Sequence, residues 1–138
     1  MATTISHTPE ETFAYGFRLA HGLRHGDIIA LCGELGAGKT WLSKGLASGL
    51  GGDPNTVASP TFTLIHEYMG GRLPMFHFDF YRLDSAEEAL QLGLDDYLAG
   101  EGVVVIEWAD KFAELIPAEA RWVRLRAFEG GLREIEIP

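Results

Sequence analysis

Gly33-Glu34-Leu35-Gly36-Ala37-Gly38-Lys39-Thr40 has the spacing G-x-x-x-x-G-K-[ST] and lies between an apolar run, Asp27-Ile28-Ile29-Ala30-Leu31-Cys32, and the helix-like Trp41-Leu42-Ser43-Lys44-Gly45-Leu46-Ala47. Strand, glycine loop and helix in that order make a phosphate-binding loop. Glycines let the backbone fold into a nest whose N–H groups converge on phosphate oxygens, and the helix that follows adds the positive end of its dipole. Lys39 is spaced to reach β- and γ-phosphates, and the Thr40 hydroxyl to hold Mg²⁺. A bound nucleotide is expected against Glu34, Leu35, Gly36, Ala37, Gly38, Lys39, Thr40 and Trp41.

The elements around the loop predict an α/β fold in which a mixed, mainly parallel sheet is flanked by helices and extended by β-hairpins. Thr8-Pro9-Glu10-Glu11 starts a helix, with Thr8 as N-cap and Glu11 closing a capping box, running to about Gly22. Phe13, Phe17 and Ala20, beside Leu19 and Leu23, form its expected apolar stripe. After the loop, a second helix stops at the glycines of Gly49-Leu50-Gly51-Gly52. Residues 62–68 and 73–80, joined by Met69-Gly70-Gly71-Arg72, read as an antiparallel hairpin, and residues 84–92 as a helix ended by Gly93. Val103-Val104-Val105-Ile106 is apolar on every position, as a strand covered on both faces must be, and is expected beside the strand entering the loop. Residues 122–128 and 132–137 alternate around Gly130-Gly131 and predict a second hairpin.

A phosphate loop alone binds; hydrolysis needs an acid that holds the cation or orients water, and a group that senses the γ-phosphate. Glu107, directly after the apolar strand 103–106, occupies the place of such an acid, because the ends of parallel strands converge on the phosphate site. Asp79 is the second acid. Alternation along His77-Phe78-Asp79-Phe80-Tyr81-Arg82 puts His77, Asp79 and Tyr81 on one face and the phenylalanines on the other. Two ligands do not define a metal site, so His77 is read as a hydrogen-bonding histidine. Thr61, in Ser59-Pro60-Thr61-Phe62-Thr63, is the candidate switch hydroxyl, although Ser-Pro-Thr is also ordinary turn chemistry. The chain has neither an Asn-Lys-x-Asp segment nor a D-x-x-G switch, so adenine is the expected base by elimination.

At 138 residues, with 46% hydrophobic side chains, the chain suits one domain, 1–138, around one core. No apolar run approaches the roughly 20 residues of a bilayer span, and the first residues lack a basic and apolar leader, so a cytoplasmic protein that meets no membrane is expected. One cysteine, Cys32, allows no internal disulfide and is expected to be a buried, inert thiol. A formal charge of −9 repels phosphate backbones, which argues against gripping DNA or RNA unaided, although it also serves solubility.

Taken together, G-E-L-G-A-G-K-T, Ser59-Pro60-Thr61-Phe62-Thr63-Leu64, His77-Phe78-Asp79-Phe80-Tyr81-Arg82-Leu83 and Glu107-Trp108 resemble the TsaE (YjeE) family over nearly the whole chain. The loop is generic; the H-F-D-x-Y-R-L block and the E-W pair in this order are specific. The resemblance implies a P-loop NTPase-like protein that binds ATP and Mg²⁺, hydrolyses ATP weakly by itself, and works with TsaD and TsaB. That complex adds threonylcarbamoyl to adenosine 37 of tRNAs reading ANN codons, with this subunit resetting it between turnovers and meeting tRNA only through the complex. By position, Lys39 would contact phosphates, Thr40 and Glu107 would ligate Mg²⁺, Asp79 would support metal or water, and Thr61 would be the switch. Trp108 would pack near the nucleotide or at a partner interface, and Arg133 and Glu10 would lie near the adenine. His66 and the turn Glu129-Gly130-Gly131 depart from the family pattern and touch no implied role.

Two other readings remain open at this point. A small-molecule P-loop kinase would need an Arg-bearing lid, and no arginine lies between Arg82 and Arg121. A module that senses ATP without hydrolysing it would use the same loop and the segment 53–63.

Overall fold

The computed structural model describes residues 2–34, 36–52 and 65–137. The described strands form one sheet in the order β1 (Ala2–Ser6), β7 (Arg133–Ile137), β6 (Arg121–Ala127), β2 (Ile28–Gly33), β5 (Val103–Glu107), β4 (Met75–Asp79) and β3 (Ile65–Tyr68). The middle four, β6, β2, β5 and β4, run parallel. Antiparallel partners extend both edges: β3 on β4, and β7 then β1 beyond β6. This is the α/β arrangement with hairpin additions expected above. The strand β1 is new, since Ala2-Thr3-Thr4-Ile5 carries little apolar signal and acquires its register only from β7.

Alternation along the central strands feeds two cores. Ile29 and Leu31, Val103 and Val105, and Val123 and Leu125 face α1 (Pro9–Ala20) and α2 (Lys39–Gly49), against Ala20, Leu42 and Leu46. Ile28, Ala30, Val104 and Ile106 face the opposite way, with Phe78 and Phe80, toward α3 (Ala86–Gln91), α4 (Leu94–Ala99) and a 3₁₀ run over Ala109–Leu115. Each strand of the pair β2 and β5 is thus covered on both sides, as its unbroken apolar run requires. Helix α4 and the 3₁₀ run went unread in the sequence. Gly93, expected only to stop a helix, also starts the next one, with φ 89 at the N-cap of α4.

Thr8 caps α1 by accepting a hydrogen bond from the Glu11 N–H, a contact worth about 1 kcal/mol. The Glu11 carboxylate reaches back one residue further than a capping box requires, accepting from the His7 N–H. The expected stripe on α1 needs correction: Thr12, Gly16 and Ala20 are buried, whereas Phe17 is 40% exposed. The reason lies in α2. Gly16, Gly45 and Gly49 sit where the helices touch, and a Cβ on Gly45 would come 2.9 Å from the Phe13 carbonyl carbon and 3.1 Å from the Phe17 nitrogen. Backbones that close leave room only for small residues on the crossing line, and the phenylalanines are pushed to its flanks.

Candidate functional site

The chain leaves β2 at Gly33, turns through Gly36 and Gly38, and enters α2 at Lys39. Gly36 has φ 81 and Gly38 φ 101, both in the left-handed region that side chains avoid. Gly38 is also confined, because a Cβ there would meet Thr12 Cγ2 at 3.4 Å and Leu125 Cδ2 at 3.7 Å. The loop's conformation therefore depends on glycine at these positions. Ala37 is fully buried in the α1–α2 core, so only its backbone faces the loop, and Leu35 lies outside the described residues.

Lys39 is 5% exposed, and its ammonium donates to the carbonyls of Gly33 at 2.6 Å and Glu34 at 2.7 Å. The indole of Trp108 covers it, with Nζ 4.2 Å from the ring centroid, a cation–π contact. Burial lowers the Lys39 pKa, and the nearby Glu107 carboxylate opposes that shift. Trp108 is the one non-glycine residue with positive φ among the described residues, at φ 58. It sits between the end of β5 and the 3₁₀ run, and its ring also packs on Tyr81 at 4.9 Å between centroids.

Glu107 ends β5, on the face shared with Val105, and is 6% exposed. The Thr40 hydroxyl lies 3.5 Å from its Oε1, joining residues 67 positions apart. Burial pushes the Glu107 carboxyl pKa up, but His77, the Lys39 ammonium and the Thr40 hydroxyl together hold it below the ordinary carboxylate value. The group is ionised at neutral pH. A hydroxyl and a carboxylate at the mouth of a glycine loop are hard oxygen donors, and they fit Mg²⁺, which takes one or two such protein ligands and completes its shell with water and phosphate. Among the described residues no group of three or more His, Cys, Asp or Glu forms a further metal cluster.

Asp79 is opposite Glu107 in the β4–β5 register. Its carboxylate caps the 3₁₀ turn Phe80–Arg82 by accepting from the Tyr81 N–H at 3.0 Å. That turn corrects the expected alternation: the strand ends at Asp79, so Tyr81 is 54% exposed and does not continue the row of His77 and Asp79. His77, read as a hydrogen-bonding histidine, has its Nε2 2.5 Å from Glu107 Oε2, a close polar contact between two buried side chains, while Nδ1 has no hydrogen-bond partner among the described residues.

These groups border a cavity of about 670 Å³ lined by Gly36, Gly38, Lys39, Thr40 and Trp41 from the loop and helix, with Asp79, Tyr81, Arg82, Glu107 and Trp108 across from them. Its far end is made by His7, Thr8, Pro9 and Thr12 before and within α1, and by Gly131 and Arg133 at the last hairpin. Arg133 is thus brought in. Glu10 is not among the lining residues; it points outward in the first turn of α1 while Thr8, Pro9 and Thr12 line the wall. Glu34 lines a separate cleft with Cys32, Trp122 and Arg124, and meets the loop through its carbonyl alone. Cys32 is buried, and burial raises its thiol pKa. The switch candidate Thr61 lies outside the described residues. The sequence reading missed His7, Thr12 and Gly131, because His7 and Gly131 reach the cavity beside the edge strands β1 and β7, and Thr12 meets Gly38 through the packing of α1 on α2, none of which leaves a local pattern. Gly131 shows that the turn 129–131, expected to touch no role, borders the cavity.

The family described as "Threonylcarbamoyl adenosine biosynthesis protein TsaE" matches residues 6–135. A tRNA threonylcarbamoyladenosine biosynthesis protein TsaE of Bacillus subtilis is 44% identical over 92% of this chain and 78% of its own. The Treponema pallidum protein of the same name is 39% identical, with 96% of this chain and 97% of its own covered. The crystal structure of Bacillus subtilis YdiB superposes with a TM-score of 0.81 at 38% identity, over 99% of this chain and 83% of that one. The chain belongs to the TsaE family.

Proposed function

From that membership, we propose that this chain is the ATP-binding and ATP-hydrolysing subunit of tRNA threonylcarbamoyladenosine synthesis, acting with TsaD and TsaB. The observation that carries the reading is the approach of Thr40 to Glu107, 3.5 Å across 67 residues at the mouth of the glycine loop. Magnesium bound there would offset the charge of the β- and γ-phosphates. The amides of residues 33–40 would hold the phosphates, and Thr40 and Glu107 would hold the cation. Lys39 would exchange the Gly33 and Glu34 carbonyls for a terminal phosphate oxygen, sliding out from under Trp108. Asp79, in register with Glu107, would orient water or a cation-bound water. The base would lie toward Thr8, Pro9 and Arg133.

The acidic surface favours a complex in which a partner grips the tRNA. The test is reconstitution. Purified chain should hydrolyse ATP poorly, bind TsaB and TsaD in a pull-down, and allow repeated threonylcarbamoyl transfer to tRNA when ATP is supplied. No association with those proteins, or full multiple turnover without this chain, defeats the proposal.

A further inference from the structure

His77 stands opposite Val105 in the β4–β5 register, so its side chain leaves the sheet on the same face as Glu107. Both side chains are buried, 7% and 8% exposed, and Nε2 touches Oε2 of the carboxylate. Oε1, the other oxygen, is the one near Thr40. The imidazole packs on the neighbouring strand: His66, its cross-strand neighbour on β3, meets it edge-on at 5.7 Å between ring centroids. The carboxylate therefore has one oxygen against a buried ring and one turned toward the helix that carries the threonine.

We propose that His77 is a positioning residue for the cation site, occupying Glu107 Oε2 so that Oε1 stays turned toward Thr40. The proposal rests on the reading of Thr40 and Glu107 as Mg²⁺ ligands. A carboxylate free to rotate about its last torsion presents either oxygen, or both, and loses the one-oxygen geometry that a small octahedral cation demands. Groups that orient a metal ligand commonly change metal affinity by about 10–100-fold when removed.

The experiment measures ATP binding by calorimetric titration, in Mg²⁺ and in EDTA, for the full chain and for His77→Ala, His77→Gln and His77→Asn. In Mg²⁺, His77→Ala should bind about 10–100-fold more weakly, while the EDTA value stays near that of the parent. The longer amide of His77→Gln can reach Oε2 and should recover most of the loss; that of His77→Asn is too short and should not. The Gln and Asn variants carry the same contrast if the alanine void prevents folding. Equal weakening with and without Mg²⁺, or Gln and Asn variants that behave alike, overturns the inference. A parent chain that binds no ATP defeats the proposed function itself; a parent whose Mg²⁺-dependent binding survives in all three variants defeats the role of His77 alone.

Discussion

The Lys39 ammonium lies 4.2 Å from the centroid of the Trp108 indole while donating to two carbonyls of its own loop. Trp108 holds a left-handed backbone to do this, at a cost of roughly 1–2 kcal/mol for an L-residue. The ring and the lysine thus report on one another. If a triphosphate draws Lys39 away, the indole loses its cation, and its emission should change on adding ATP and Mg²⁺. Trp41 also lines the cavity, so the measurement belongs in a Trp41→Phe background. Adding Trp108→Phe should abolish the change; emission that does not change on adding ATP and Mg²⁺ while Trp108 is present would mean the lysine stays where it is.

Under the proposed function, Lys39→Ala should lose most nucleotide affinity, because it removes the cation that would move onto the terminal phosphates. Ligand at a hundredfold excess over Kd stabilises a protein by about 2.7 kcal/mol, so thermal melting with ATP and Mg²⁺ separates the two proteins clearly. Undiminished stabilisation of the mutant would count against the assignment.

Glu107→Ala distinguishes a hydrolytic subunit from an ATP sensor. A subunit that resets its partners by hydrolysis should, with this change, support about one round of tRNA modification and then stall. Continued turnover, counted as modified tRNA per complex, would favour sensing.

Gly45→Ala tests the helix crossing separately from the site. The added methyl meets the Phe13 and Phe17 backbone, which has no rotamer to give. Overpacking of this kind costs about 1–3 kcal/mol, a fall in Tm of roughly 4–12 °C, at unchanged ATP affinity per folded molecule. A melting curve that does not move would show that the two helices separate without cost.

Much of the fold was legible because it is written in local pattern. The unbroken apolar runs at 28–31 and 103–106 can only be strands buried on both faces, and they do pair. Thr8, with Glu11 three residues on, marked the start of α1. The stripe on α1 misled for a physical reason: periodicity ranks residues by hydrophobicity, while a close helix crossing selects for smallness, and Gly16 outranks Phe17 at the contact. Alternation through His77, Asp79 and Tyr81 failed at its last member, since a strand's period says nothing about where capping by Asp79 will end it.

From the order of residues alone came the loop, its glycines, Lys39, Thr40 and the acid after an apolar strand, because each depends on neighbours within a few positions. Only the assembled sheet decided what those groups touch. Parallel pairing of β2 with β5 sets Glu107 before Thr40, and pairing of β4 with β5 puts His77 against the same carboxylate. Pairing of β7 with β6 and β1 puts Arg133 and His7 at the far wall of the cavity. Such contacts join residues 30 to more than 100 positions apart. Strand register and the burial of both sheet faces create them, and no run of sequence contains them.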